Sequence, residues 1–382
     1  MEVVRESAQW IQDGTIVTSS EHELINDFDL DYIELYVQDL DAHLEIWGGR
    51  YGFAQLGAGG SDQDGFRSVV LGRGAMKLVL TEATRLDHPA ASYVLVHGDG
   101  VANIAMRTAD VRAAFSRIVG NGGRALAEPH EHDDPHVELS ATVGGFGDLV
   151  HTLVQRSASS AGLPAGFRRF SPPQETVKDS DHSFEVLAAD HFAVCVNVDE
   201  LDHTVAFYEE AFGFTETFQE RIVVGSQAML SKVVQSKSRT VTFTIIQPDP
   251  TADPGQIDEF LKNHNGAGVQ HVALAVDDIV KAVQGFARNN VQFLTTPDAY
   301  YALLRDRISA PKHSIDGLHA LNILVDQDHF GQLFQIFTRS THERRTLFFE
   351  VIERCGAETF GSSNIKALYE AVEMERAMQS RA

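Results

Sequence analysis

The chain has 382 residues, 43% of them hydrophobic, and sets 54 acidic against 31 basic side chains for a formal net charge of -23. That is enough apolar material for two or more ordinary domains, and so acidic a surface repels polyanions, which excludes nucleic acid as an expected partner. No stretch reaches the roughly 20 uninterrupted apolar residues of a membrane helix, and Glu2, Arg5, Glu6, Asp13 and Glu21 stand where a signal peptide would need an apolar core, so a soluble, cytoplasmic protein with no membrane partner is expected.

In chain order, the first periodic segment is the strand-like LDYIELYVQDLD from Leu30, followed by an amphipathic stretch ending at Tyr51-Gly52-Phe53. Gly57 to Gly60 follow as GAGG, without the preceding strand and following helix that a phosphate cradle needs, so no ligand is assigned there. HGDGVANIAM at 97–106 reads as a strand, DVRAAFSRIVGNGG at 110–123 as a helix and GFGDLVHTLVQR at 145–156 as a closing strand. Between them EPHEHDDPH, with His130, His132 and His136, reads as a solvated loop. Residues 157–183 are rich in Ser, Pro and Gly and read as a linker.

The pattern then starts again. ADHFAVCVNVDELD from Ala189 matches the segment at Leu30, Phe212-Gly213-Phe214 matches the aromatic-Gly-Phe, and NGAGVQHVAL at 265–274 matches 97–106 without a gap. DIVKAVQGFARNN at 278–290 repeats the helix, and HFGQLFQIFTR at 329–339 is paired with the closing strand at 145–156. An α+β chain of two tandem domains, 28–156 and 184–376, follows, each built from a paired βαβββ unit. After Gly361 a helix is expected, since Ile365, Leu368, Tyr369 and Val372 recur at helical spacing behind Ser362 and Ser363. Cys195 and Cys355 suit neither a zinc site nor a redox pair and read as small apolar residues.

What both copies share is read as structural, and what one copy has alone as a candidate for function. His191 stands where the first copy has Tyr32, and His271 where it has Asn103, each within an apolar strand beside a small residue, Ala193 or Ala273. Glu350 lies in the apolar run TLFFEVIER, where a buried carboxylate needs a cation. A lone histidine in such a strand is ordinarily a core residue with one hydrogen bond, and the guanidinium of Arg344, Arg345 or Arg354 is an alternative partner for Glu350. Together, two imidazoles and a carboxylate from separate strands match the facial set of non-haem iron(II) oxygenases.

At these residues the chain resembles the 4-hydroxyphenylpyruvate dioxygenases and their relatives the 4-hydroxymandelate synthases, within the vicinal-oxygen-chelate (glyoxalase/bleomycin-resistance-like) fold. The likeness runs from about residue 28 to 376 and is carried by QIDEFL at 256–261, GAGVQH at 266–271, QLFQIFT at 332–338, FFEVIER at 348–354 and FGSSNIKALYEAVE at 360–373. It implies an open barrel around the metal in the C-terminal domain, a first domain without metal, and one iron(II) per chain on His191, His271 and Glu350. It further implies dioxygen as co-substrate, 4-hydroxyphenylpyruvate chelating the iron through its carboxylate and keto oxygens, and a homodimer or higher homo-oligomer.

Carried over by position, Ser231, Thr244, Ile246, Gln335, Phe337, Phe360 and Ile365 would line the substrate pocket, with Gln256 and Gln270 more remote. Two departures point to the synthase branch. Where the dioxygenases read GNF, this chain reads Ser363-Asn364-Ile365, and where they read PINEP it reads Thr244-Ile245-Ile246-Gln247-Pro248. Both exchanges loosen the hold on the substrate ring, which implies hydroxylation of the benzylic carbon to 4-hydroxymandelate, a precursor of 4-hydroxyphenylglycine in nonribosomal peptide antibiotics. The alternatives are homogentisate formation in tyrosine breakdown and, in another class, a metal-free small-molecule-binding protein on the same fold.

Overall fold

Apolar runs buried on both faces set the central strands, as in 242–248 and 100–107, and the structure, a computed structural model, describes residues 10–12, 15–17, 27–158, 162–174, 184–308, 311–361, 364 and 366. Trp10–Gln12 (β1) and Thr15–Val17 (β2) form a separate antiparallel hairpin. Asp29–Tyr36 (β3), Ala54–Gly59 (β4), Phe66–Arg73 (β5) and Met76–Ala83 (β6) make the first βαβββ unit. Gly100–Arg107 (β7), Ala125–Glu131 (β8), Val137–Gly144 (β9) and Val150–Arg156 (β10) make the second. With Arg168–Gln174 (β11) they form one sheet in the order β11-β4-β5-β6-β3-β7-β10-β9-β8.

The second copy repeats this order. Val186–Cys195 (β12), Thr215–Val224 (β13), Gln227–Gln235 (β14), Thr242–Pro248 (β15), Gly268–Val276 (β16), Leu324–Gln327 (β17), Gln332–Phe337 (β18) and Phe348–Cys355 (β19) are ordered β13-β14-β15-β12-β16-β19-β18-β17. The two central strands of each sheet are antiparallel, and each has a parallel partner on its other side. Equivalent helices, Val111–Gly120 and Ile279–Arg288, start at equivalent caps: Asp110 accepts from the Ala113 amide and Asp278 from the Lys281 amide.

Three sequence expectations change. The pairing of 145–156 with 329–339 is one strand out, because β10 lies beside β7 as β19, not β18, lies beside β16. Adjacent barrel strands share the same period-two alternation and are easily exchanged when only sequence is compared. The segment read as a linker contributes β11, which pairs with β4. The histidine-rich stretch is half strand: His130 is on the edge strand β8, and His132 lies 2.7 Å from the Ser140 hydroxyl. The tail expected to be helical lies outside the described residues, except for Asn364 and Lys366.

The copies meet through apolar packing and buried histidines. Trp47 and Tyr51 of the first copy pack edge-on against Phe349 of the second. His97 stacks on His264 with ring centroids 4.4 Å apart, His43 meets His342 at 5.7 Å, and His151 shares a 2.7 Å hydrogen bond with the Tyr208 hydroxyl. Among the described residues no helix is long and apolar enough to cross a membrane.

Candidate metal centre

His191 on β12, His271 on β16 and Glu350 on β19 come from three adjacent strands of the second sheet and face its concave side. Register explains the convergence: Ala193, two residues from His191 on the same strand face, stands opposite His271, and Ala273 opposite Glu350. Small side chains at both positions leave the space between the imidazoles open. The three ligand atoms lie within 4.8 Å of one another, and all three residues are buried. Nε2 of His191 is 3.3 Å and Nε2 of His271 3.4 Å from the same Glu350 oxygen, Oε2.

That spacing suits a common ion, since ligand atoms about 2.1 Å from a metal and at right angles lie about 3 Å apart. The remaining atoms of each ligand are occupied elsewhere. His191 Nδ1–H donates to Asp190 Oδ1 at 2.8 Å, and His271 Nδ1 is 3.3 Å from Gln270 Oε1, so each ring presents Nε2 to the centre. Gln335 Nε2 donates to Glu350 Oε1 at 2.7 Å and leaves Oε2 to the two imidazoles, while Asn364 Nδ2 donates to Gln335 Oε1 at 2.7 Å. The buried amide of Gln335 is thereby satisfied on both sides. Gly361 turns the chain into Asn364 with φ +70°, and a Cβ there would collide with Gln335 Oε1.

Burial alone would push the Glu350 carboxyl up, but the charge of His191 and hydrogen bonds from His191 and His271 outweigh it and hold the group well below the usual range, at about 2. For His271 burial dominates and favours the neutral ring. An ionised, buried carboxylate facing two imidazole nitrogens is a donor set able to hold a divalent cation. Two of the arginines offered as alternatives are engaged elsewhere. Arg354 forms a two-pronged ion pair with Asp190, at 2.7 and 2.8 Å, and Arg344 donates to the backbone carbonyls of Leu95 and Val96.

A second grouping, Asp278, His313 and Glu353, also has ligand atoms within 4.8 Å. Glu353 there is already met by the Lys312 ammonium, by His313 at 2.8 Å and by the Ile279 amide at 2.8 Å, so its charge is balanced without a metal. Cys355 is half-buried with its thiol 3.3 Å from Glu353, a more polar setting than a small apolar residue implies, whereas Cys195 is fully buried.

Around the triad the wall is mixed. Phe360 meets the His191 ring edge-on at 5.1 Å, Phe337 lies 6.0 Å from His271, and Phe348, which the sequence did not single out, stacks on His271 at 4.9 Å. Thr244 pairs in register with Ala193, and Ile246 with Cys195 on one side and Ser231 on the other, so all five share the concave face. The buried Thr244 hydroxyl has no hydrogen-bond partner among the described residues. Ile365 lies outside the described residues. Asp190, Arg354 and Asn364 were missed as site residues; a charged residue beside His191 in an apolar strand was the available signal for Asp190.

The sequence profile of the family described as Glyoxalase/Bleomycin resistance protein/Dioxygenase superfamily matches residues 29–142 and 188–336. A 4-hydroxyphenylpyruvate dioxygenase of Yarrowia lipolytica is 29% identical over 379 residues, covering 94% of this chain and 96% of its own. The enzyme of that name from Dictyostelium discoideum is 31% identical over 340 residues, covering 86% and 92%. Among solved structures, a triple mutant of 4-hydroxymandelate synthase from Streptomyces coelicolor superposes with a TM-score of 0.82 at 42% identity, covering 92% of this chain and 99% of that one.

Proposed function

Because the chain belongs to the glyoxalase/bleomycin resistance protein/dioxygenase superfamily, and within it to the family of 4-hydroxyphenylpyruvate dioxygenases and 4-hydroxymandelate synthases, we propose that it is an iron(II)-dependent 4-hydroxymandelate synthase. The reaction converts 4-hydroxyphenylpyruvate and dioxygen to 4-hydroxymandelate and carbon dioxide. The observation that carries the metal half of this reading is the pair of imidazole Nε2 atoms facing one oxygen of Glu350. Three protein ligands would hold one iron(II) per chain and leave positions for the 2-oxo acid and dioxygen. Bound there, iron supplies dioxygen activation and oxidative decarboxylation of the 2-oxo acid.

The residues of the chain do the rest. Asp190 and Gln270 hold the proton on the Nδ1 side of each histidine, and Gln335 steadies Glu350. Phe337, Phe348 and Phe360 exclude water from the ring side of the substrate. The Thr244 hydroxyl, without a hydrogen-bond partner among the described residues, is a donor for a substrate oxygen, and Ser231 offers another on the same face. Ile246 presents no polar hold in that row, which favours a ring free to turn its benzylic carbon toward the metal; Ile365 would act in the same sense. The product suits a supply of 4-hydroxyphenylglycine for nonribosomal peptide antibiotics in the cytoplasm.

The test is to load the protein with iron(II) without air, add 4-hydroxyphenylpyruvate, admit dioxygen and separate the products. 4-Hydroxymandelate and homogentisate are isomers, so chromatographic retention rather than mass tells them apart. 4-Hydroxymandelate is expected. Homogentisate would keep the iron site and transfer the chain to the dioxygenase branch, and absence of stoichiometric iron would turn it into a binding protein. A homodimer or higher assembly is part of the proposal, and gel filtration showing only a 42 kDa species would remove that part.

A further inference from the structure

Both copies contain the same clamp. In the first, Arg156 at the end of β10 grips Asp31 on β3 with Nε and Nη2, at 2.8 and 2.7 Å. In the second, Arg354 grips Asp190 with the same two nitrogens at 2.7 and 2.8 Å. Registers make the pairs equivalent: Asn103 pairs with Glu34 and Val150 as His271 pairs with Ala193 and Phe348, which places Asp31 with Asp190 and Arg156 with Arg354. In each copy the third nitrogen, Nη1, holds the chain beyond the sheet, at Leu163 in the first and at the Ala357 and Thr359 carbonyls in the second. Tying two strands and the following segment together is therefore the inherited structural task.

The second clamp carries more than the first. Asp190 Oδ1 also accepts Nδ1–H of His191 at 2.8 Å, and the Arg354 guanidinium lies 4.9 Å over the Phe360 ring, which itself meets His191 edge-on. The same segment is held from its far side by Asp328, which accepts from the Glu358 and Thr359 amides at 2.8 and 2.9 Å. We propose that Arg354, acting through Asp190, is a positioning residue that couples the aim of His191 at the metal to the seating of the 357–361 segment carrying Phe360. The coupling is reciprocal, so metal at the triad steadies the segment and a seated segment tightens metal binding. This rests on the metal reading of His191, His271 and Glu350.

Arg156 supplies the control for a purely structural role. Arg354→Gln, Arg354→Lys and Arg156→Gln are compared with the unmodified chain by thermal unfolding without metal, by cobalt(II) titration followed by absorption, and by amide exchange at Glu358 and Thr359. Both Gln variants are expected to unfold at lower temperature. Only Arg354→Gln should weaken cobalt(II) binding, by about 10- to 100-fold, and abolish the metal-dependent slowing of exchange at 358 and 359; Arg354→Lys, which keeps charge but not the fork, should fall between. Equal cobalt(II) affinity in Arg354→Gln, or the same loss in Arg156→Gln, would overturn the coupling while leaving the metal site intact. An unmodified chain that binds no cobalt(II) would overturn both.

Discussion

At the strand positions of His191, His271 and Glu350 the first copy carries Tyr32, Asn103 and Thr152, and where the second copy has Ala193 it has Glu34. There Asn103, Thr152 and Glu34 are joined by hydrogen bonds, with Thr81 as a further donor. Asn103 Nδ2 donates to Glu34 at 3.1 Å and to the Thr152 hydroxyl at 2.9 Å, while the Thr81 hydroxyl donates to the other Glu34 oxygen at 2.7 Å. Burial pushes the Glu34 carboxyl up, against those hydrogen bonds, toward the neutral acid. In the second copy the carboxylate is pressed the other way and held ionised between two imidazoles. One backbone thus supports either a closed hydrogen-bonded core or a charged, open centre, and the small side chain of Ala193 opposite His271 leaves room that Glu34 fills in the first copy.

Glu350→Gln gives the largest expected break in this comparison: stoichiometric metal and product formation are lost, as read by metal analysis and oxygen uptake. Its first-copy counterpart, Thr152→Val, should leave both unchanged and cost only about 1 kcal/mol in denaturant unfolding. On product choice, Ile246→Asn restores a polar side chain in the row with Ser231 and Cys195. The homogentisate fraction should rise, and a barrier difference of about 1.4 kcal/mol would move the product ratio tenfold, measurable by chromatography.

The seam between the copies gives a pH test. Burial, aided by His97 and His43 respectively, lowers His264 and His342 to about 4. Their folded values lie below the unfolded value of about 6.5, so at neutral pH and above neither state binds the extra proton and stability is at its full level. As pH falls through the window down to about 4 the unfolded chain takes up protons first, and stability drops by on the order of 2–3 kcal/mol for each residue. Unfolding of His264→Gln and His342→Gln across this window should show a shallower slope; an unchanged slope would count against their part in the seam. Smallest is Thr244→Val. Removing a buried hydroxyl that has no partner among the described residues should stabilise the substrate-free protein by about 1 kcal/mol while raising KM, seen by thermal unfolding and steady-state kinetics together.

The duplicated architecture and the contrast of His191 with Tyr32 and His271 with Asn103 were legible because each depends on local alternation and on residue chemistry at a matched position. Glu350 was legible as an anomaly, a carboxylate in an apolar run, but its first-copy counterpart was not. Sequence pairing put β10 with β18, and the equivalence of Thr152 with Glu350, and of Arg156 with Arg354, appeared only from strand order. Gln335 was legible as a pocket residue; that its amide is held by Glu350 and Asn364 was not, since they lie 15 and 29 residues away along the chain.

From sequence alone came the doubled βαβββ units, the acidic surface, the family resemblance and the three residue types able to hold a metal, all expressed by periodicity and chemistry over short spans. Tertiary structure alone decided which carboxylate oxygen faces the imidazoles, that Arg354 grips Asp190, and which buried hydroxyl lacks a partner among the described residues. Those outcomes depend on register between strands far apart in the chain and on how the sheet curls, and a one-residue change of register would send every one of these side chains to the opposite face.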